Sequence, residues 1–128
     1  VTYEDVTFRR VSAVNAKRAD RWHKGFPNHT DGWTGADWSN AMCGEAGEAA
    51  NVVKKLRRID MQIQQAEQGE QPDEAYVAML KQKLATEIGD TFIYLDLLAQ
   101  FYGLKMEKCV VDTFNRVSDR EGFPEKIG

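Results

Sequence analysis

Two short acidic stretches, Glu45-Ala46-Gly47-Glu48 and Glu87-Ile88-Gly89-Asp90, restrict the folds open to this 128-residue chain more than any other feature. In each, an acid is followed three positions later by another, inside a segment whose apolar residues recur at helical spacing. A helix turns about 100° per residue, so an i,i+3 pair shares one face. Glu45 and Glu48 share an arc with Ala41, Ala49, Val52 and Leu56, whereas Lys54, Arg57 and Arg58 fall elsewhere. Glu87 and Asp90 share theirs with Leu80, Leu84, Tyr94 and Leu98, and Asp96 points the other way. Four carboxylates are thus placed on the apolar faces of two helices, where desolvation and mutual repulsion both oppose them. A divalent cation is the simplest compensation.

The rest of the chain agrees with an all-α fold of antiparallel helices, since no strand-period alternation interrupts the helical pattern. Residues 2–24 read as a first helix, with Phe8, Val11, Ala19 and Trp22 recurring on one side and Asn15 and Arg18 at its rim. Turn formers from Gly25 to Gly32 predict a loop, bracketed by Trp22, His23, Trp33 and Trp38. The first acidic helix is expected from Thr34, with Thr34 as cap and Asp37 at the capping-box position, to about Ile59. Gly44 and Gly47 inside it cost about 1 kcal/mol each against alanine, which suggests a close approach by a partner helix or a phosphate. Residues 61–72 are polar and Gln-rich and read as an inserted connection. The second acidic helix spans about 73–102 with Gly103 at its end, and a last helix spans about 105–120, burying Val110, Val111, Phe114 and Val117. Gly122 and Pro124 stop it, leaving an irregular tail. The length suits one domain over residues 1–128.

Composition narrows the function. The net charge is −3 with both signs interspersed, so no broad nucleic-acid-binding surface is expected. Cys43 and Cys109 have neither metal-ligand spacing nor a disulfide framework, which fits a cytoplasmic protein. The start of the chain shows no charged-then-apolar leader, and Asp90 and Asp96 break the longest apolar run, so neither secretion nor a membrane span is expected. Di-iron chemistry is disfavoured, because neither histidine follows any of the four acids at Glu-x-x-His spacing.

Mg²⁺ takes oxygen ligands and relies on carboxylates together with substrate phosphates, which suits acidic pairs on two facing helices. One of the four acids can serve as general base. Lys55 lies on the Glu48 side of its helix for a phosphate, and Tyr94, one turn beyond Asp90, for a sugar or a carboxylate. Asn115 and Ser118 share the apolar arc of the last helix and so allow an inward polar contact. The tryptophans around the 25–32 loop offer either a stacking pocket or core packing.

Glu45-x-x-Glu48 followed by Glu87-x-x-Asp90, the setting Gly44-Glu45-Ala46-Gly47-Glu48, Lys54-Lys55 and Asp90-x-x-x-Tyr94 resemble the MazG-like nucleoside triphosphate pyrophosphohydrolases. That all-α group also includes dimeric dUTPases and dCTP pyrophosphatases. The resemblance covers about residues 38–124. It implies a four-helix-bundle core completed by dimerisation, as a homodimer or a dimer-of-dimers tetramer, with sites built partly from a neighbour. It further implies that Glu45, Glu48, Glu87 and Asp90 bind Mg²⁺, with Mn²⁺ as a substitute, and cleave (d)NTP to (d)NMP and pyrophosphate. Lys55, Asn115 and Arg120 would then contact phosphate or sugar, and Trp38 or His23 would help form the base pocket. The gap between the two motifs, 87 − 48 − 1 = 38 residues, is longer than the family pattern usually has. Either the excess protrudes as a hairpin and the acids meet, or the register shifts and they do not. The alternative function is a non-catalytic helical oligomer or adaptor that binds a nucleotide or a protein.

Overall fold

The computed structural model describes residues 2–25, 32–65 and 71–128, with the side chains of residues 23–25 and 64–65 outside that description. Among the described residues the chain is all-helical, without a strand. A 3-10 turn, Tyr3–Asp5, precedes four α-helices: α1 Phe8–Gly25, α2 Gly35–Gln65, α3 Glu74–Phe101 and α4 Met106–Glu121.

The helix boundaries follow from short-range chemistry. Thr7 caps α1, its Oγ1 accepting the Arg10 N–H at 3.1 Å, so this helix starts six residues later than the apolar spacing suggests. At α2 one half of the expected capping box is present: Asp37 Oδ2 accepts the Thr34 N–H at 2.8 Å, and also the Thr34 hydroxyl at 2.9 Å. Asp73 Oδ1 likewise accepts the Tyr76 N–H ahead of α3. Gly103 and Gly122 sit at φ 68° and 72°, the left-handed region that ends a helix cheaply only for glycine. Both ends are Schellman closures, with Leu104 N–H bonded to Ala99 C=O and Phe123 N–H to Ser118 C=O, each at 2.8 Å.

The expected insertion at 61–72 is shorter than the composition suggests, because Met61 to Gln65 continue α2. Glutamine is a good helix former, and the nearest Gly and Pro lie beyond this stretch. The loop over 25–32 falls mostly outside the described residues.

The chain divides into two compact units, residues 1–38 with 96–128, and residues 39–95. In the first, α1 packs against α4, and Asn15, Ala19, Trp38, Leu97, Ala99, Met106 and Ser118 are buried. Phe114 and Val117, expected in the core, stay more than one-third exposed, because the arc of α4 they share with Met106 and Ser118 is fully covered by described residues only at those two positions. In the second unit α2 and α3 pack along a seam in which Val52 and Leu80 are each only 1% exposed. At the far end of this unit Ile59, Gln62 and Ile63 of α2 line a cavity of about 250 Å³ with Gln71, Pro72, Asp73 and Tyr76.

The Thr34 N–H holds the Asp37 carboxyl below its ordinary value of 3.8. A lowered folded-state value means that Asp37 stabilises α2 above the ordinary value and loses that contribution as pH falls through the lowered one. Asp37→Ala is therefore expected to lower the melting temperature at pH 7, with the gap to wild type closing below about pH 3.8. Paired thermal melts from pH 7 to pH 2.5 measure this, and a constant gap would contradict it.

Candidate metal centre

In the α2–α3 unit Glu45, Glu87 and Asp90 come together, with one carboxylate oxygen from each within 4.8 Å of the others. The two acidic motifs therefore meet across the helices despite the 38-residue gap. Glu87 lies on the seam and is 7% exposed, Glu45 is half-buried, and Asp90 is exposed. Glu48, one turn further along α2, is exposed and stands outside this group of three.

Glu87 carries the strongest signal. Its Oε2 is buried with no hydrogen-bond partner among the described residues. Leaving such an oxygen unpaired forfeits its hydration, a cost of about 1–3 kcal/mol and more when the group is charged. Lys83, four residues earlier, has the spacing of an ion-pair partner but does not take that role. Two ligands on opposite sides of an octahedral Mg²⁺ lie about 4.2 Å apart, so three acids spanning 4.8 Å need little movement to share one ion. The all-oxygen donor set is the kind a hard cation prefers.

Gly44, Gly47 and Gly89 flank these acids, and a Cβ added at any of them meets no other atom within 4 Å. The close approach expected at Gly44 and Gly47 is thus not made by this chain's own described residues.

The other expected site residues divide between the units. Lys55, half-buried, and Tyr94 belong with the three acids in the α2–α3 unit. Trp38, Asn115 and Arg120 belong to the other unit, as does His23, whose side chain lies outside the described residues. Trp38 is buried and packs edge-on against Trp33, with ring centroids 4.7 Å apart. Trp22 remains exposed, with the Arg18 guanidinium 5.8 Å above its ring. The Asn115 amide is occupied by the chain's own tail, donating to Ile127 C=O at 3.0 Å and accepting Ile127 N–H at 2.8 Å. Lys126 adds bonds to Asn115 C=O and to Asp119, so the irregular tail is tied down. Arg120 pairs with its exposed neighbour Glu121.

Sequence reasoning missed one acid of consequence. Asp96 points away from the acidic arc as expected, yet it is 0% exposed. Its carboxylate accepts hydrogen bonds from Ser12 Oγ, Asn15 Nδ2 at 2.9 Å and Gln100 Nε2 at 2.8 Å. Gln100 also donates to Ser12 C=O, closing a polar lock between α1 and α3. The available signal was Asn15, polar at helical spacing with Val11 and Ala19, which reads as a rim residue unless an acceptor is known to face it.

Comparison with family models, with curated proteins and with solved structures finds no match to this chain.

Asp96→Asn replaces an all-acceptor group by one whose amide hydrogens confront the donors of Asn15 and Gln100. Loss of about 1.5–3 kcal/mol is expected from the weakened charged hydrogen bonds, readable as a lower urea midpoint. An unchanged midpoint would show that the lock contributes nothing net.

Proposed function

We propose that this protein is a metal-dependent nucleotide pyrophosphohydrolase of the MazG-like kind, cleaving (d)NTP to (d)NMP and pyrophosphate with Mg²⁺. The observation that carries this reading is the buried, unpaired Glu87 Oε2 beside Glu45 and Asp90. A structural ion pair would have supplied that oxygen with a partner from the chain. An oxygen left open among two more carboxylates suits a cation brought from outside, with Mn²⁺ able to replace Mg²⁺.

Glu45, Glu87 and Asp90 would hold the ion, and Glu48 stands one turn away to complete the set or to accept a proton. When bound, the ion neutralises phosphate charge and polarises a phosphoryl oxygen. Lys55 contributes a cation for phosphate and Tyr94 an orienting hydroxyl. Trp38, His23, Arg120 and Asn115 are the further candidates for substrate contact, Asn115 only if the tail releases it.

Chain length supports an antiparallel α2–α3 hairpin. Eight residues separate α2 from α3 (74 − 65 − 1 = 8), and extended they reach about 30 Å. With Glu45 beside Glu87, a parallel pair needs about 50 Å between the two helix ends and an antiparallel pair about 10 Å, at about 1.5 Å per residue. The cavity shared by Ile59, Ile63 and Tyr76 agrees.

A homodimer, or a dimer of such dimers, would cover what the hairpin leaves exposed. Val53, Ile88 and Leu95 lie on one flank with exposures of 48%, 58% and 37%. A second copy laid on this flank would complete a four-helix bundle and recover the apolar area. Among the described residues no helix is long and apolar enough to cross a membrane. The free thiols of Cys43 and Cys109 fit a cytoplasmic location.

Incubation with a panel of NTPs and dNTPs plus Mg²⁺ is expected to yield monophosphate and pyrophosphate. No turnover of any nucleotide, modified bases included, would leave the non-catalytic adaptor as the function. Independently of activity, Mg²⁺ at a hundred times its Kd should stabilise the wild type by about 2.7 kcal/mol and Glu87→Gln far less. In EDTA the same variant should melt no lower than wild type, because it loses a buried charge and no hydrogen bond.

A further inference from the structure

The two flanks of the α2–α3 hairpin differ in chemistry, and the difference gives a direction to the phosphate chain. Taking the seam residues Glu45 and Glu87 as zero and about 100° per residue, Glu48 and Asp90 each fall about 60° to the negative side. Lys83 falls about 40° and Lys55 about 80° to that same side, while Val53, Ile88 and Leu95 fall about 80–100° to the positive side. Antiparallel helices that face each other are related by a two-fold axis perpendicular to both. Residues displaced the same way round each helix therefore share one flank of the hairpin. Glu48, Asp90, Lys55 and Lys83 lie together on one flank, and the apolar residues lie on the other.

Along that flank the order is also set. Asp90 lies at the Glu45 level, Lys83 nearer the hairpin tip at about the level of residue 50, and Lys55 about one and a half turns further on. Lys83 is exposed, and neither it nor Lys55 forms an ion pair among the described residues. Residues 49–59 and 80–86 together carry Lys54, Lys55, Arg57, Arg58, Lys81 and Lys83 and no acid, in a chain whose net charge is −3. The second, independent pointer to a ligand is the unpaired Glu87 Oε2 at the head of this row.

We infer that Lys83 and Lys55 form a pyrophosphate subsite on the Glu48–Asp90 flank, holding the two terminal phosphates of the substrate with the chain running from the acids toward the hairpin tip. This rests on the pyrophosphohydrolase reading and adds to it the residue Lys83, the flank and the direction. The arrangement suits the chemistry, because the group that leaves carries the larger negative charge and lies beside two unpaired ammonium groups. It also accounts for the missing Lys83–Glu87 pair: the cation serves the phosphate and the carboxylate serves the metal.

The test is calorimetric, on the full chain. Mg²⁺ alone, then inorganic pyrophosphate with Mg²⁺, then a nucleoside monophosphate with Mg²⁺ are titrated into wild type, Lys83→Met, Lys55→Met and Lys81→Met. Lys81, about 120° to the positive side, is the control on the other flank. Lys83→Met and Lys55→Met are each expected to weaken pyrophosphate binding about tenfold, with Mg²⁺ and monophosphate affinities unchanged and Lys81→Met like wild type. Pyrophosphate affinity unaltered by Lys83→Met, absent in the wild type, or weakened equally by Lys81→Met overturns the subsite. Failure of the wild type to bind Mg²⁺ instead overturns the underlying reading of the acids, so the two failures are separable. In steady state the expected signature is a raised KM for the triphosphate in Lys83→Met.

Discussion

A carboxylate removed from water must find compensation, and α3 removes two of them from water on opposite faces. Asp96 is compensated within the protein by Ser12, Asn15 and Gln100, three donors that carry no net charge. Glu87 lies nine residues earlier, about half a turn round the helix, and its Oε2 is given nothing. The same physical demand is thus met by a closed network on one face and left open on the other. An open demand of several kcal/mol is a liability in a purely structural helix and a resource in a binding site. That contrast, more than the number of acids, separates a site from a surface.

The architecture around Glu87 is consistent with this use. The helices are held in place by means that do not draw on the acids: caps at Thr7, Thr34 and Asp73, and left-handed glycines at 103 and 122. The seam is held by Val52 and Leu80. Glycines 44, 47 and 89 keep the backbone bare beside the carboxylates, with open space where side chains would stand. Each costs helix propensity, which is acceptable where a ligand or a second chain needs to come close. On the proposed reading, the charged flank would serve a phosphate chain and the apolar flank a second copy.

Much of this was legible in the residues, though unevenly. Helix class and most boundaries follow from periodicity and caps, and the apolar arcs put the acids where they can meet, while the 38-residue gap between the motifs leaves open whether they do. The extent of α2 was under-read because a Gln-rich stretch looks like a connection while remaining compatible with a helix. Phe114 and Val117 were placed in a core they do not join, since an amphipathic face does not say what covers it. Asn115 reads as an inward polar contact and, through the resemblance, as a phosphate or sugar ligand, whereas the chain's own tail occupies its amide. Asp96 reads as pointing away from the acidic arc and interrupting an apolar run but not as buried, because two of its three donors lie more than 80 positions away.

What the sequence determined by itself is the set of helices, most of their ends and the arcs on which the acids lie. Those depend on bonds and spacings within a few residues, which the order of side chains specifies directly. The tertiary structure alone decided that Glu45, Glu87 and Asp90 converge while Glu48 stands apart, and that Asp96 is satisfied while Glu87 is not. Both are questions of which distant groups share a dry volume. Solvation depends on everything that surrounds an atom, and a linear pattern carries only its neighbours along the chain.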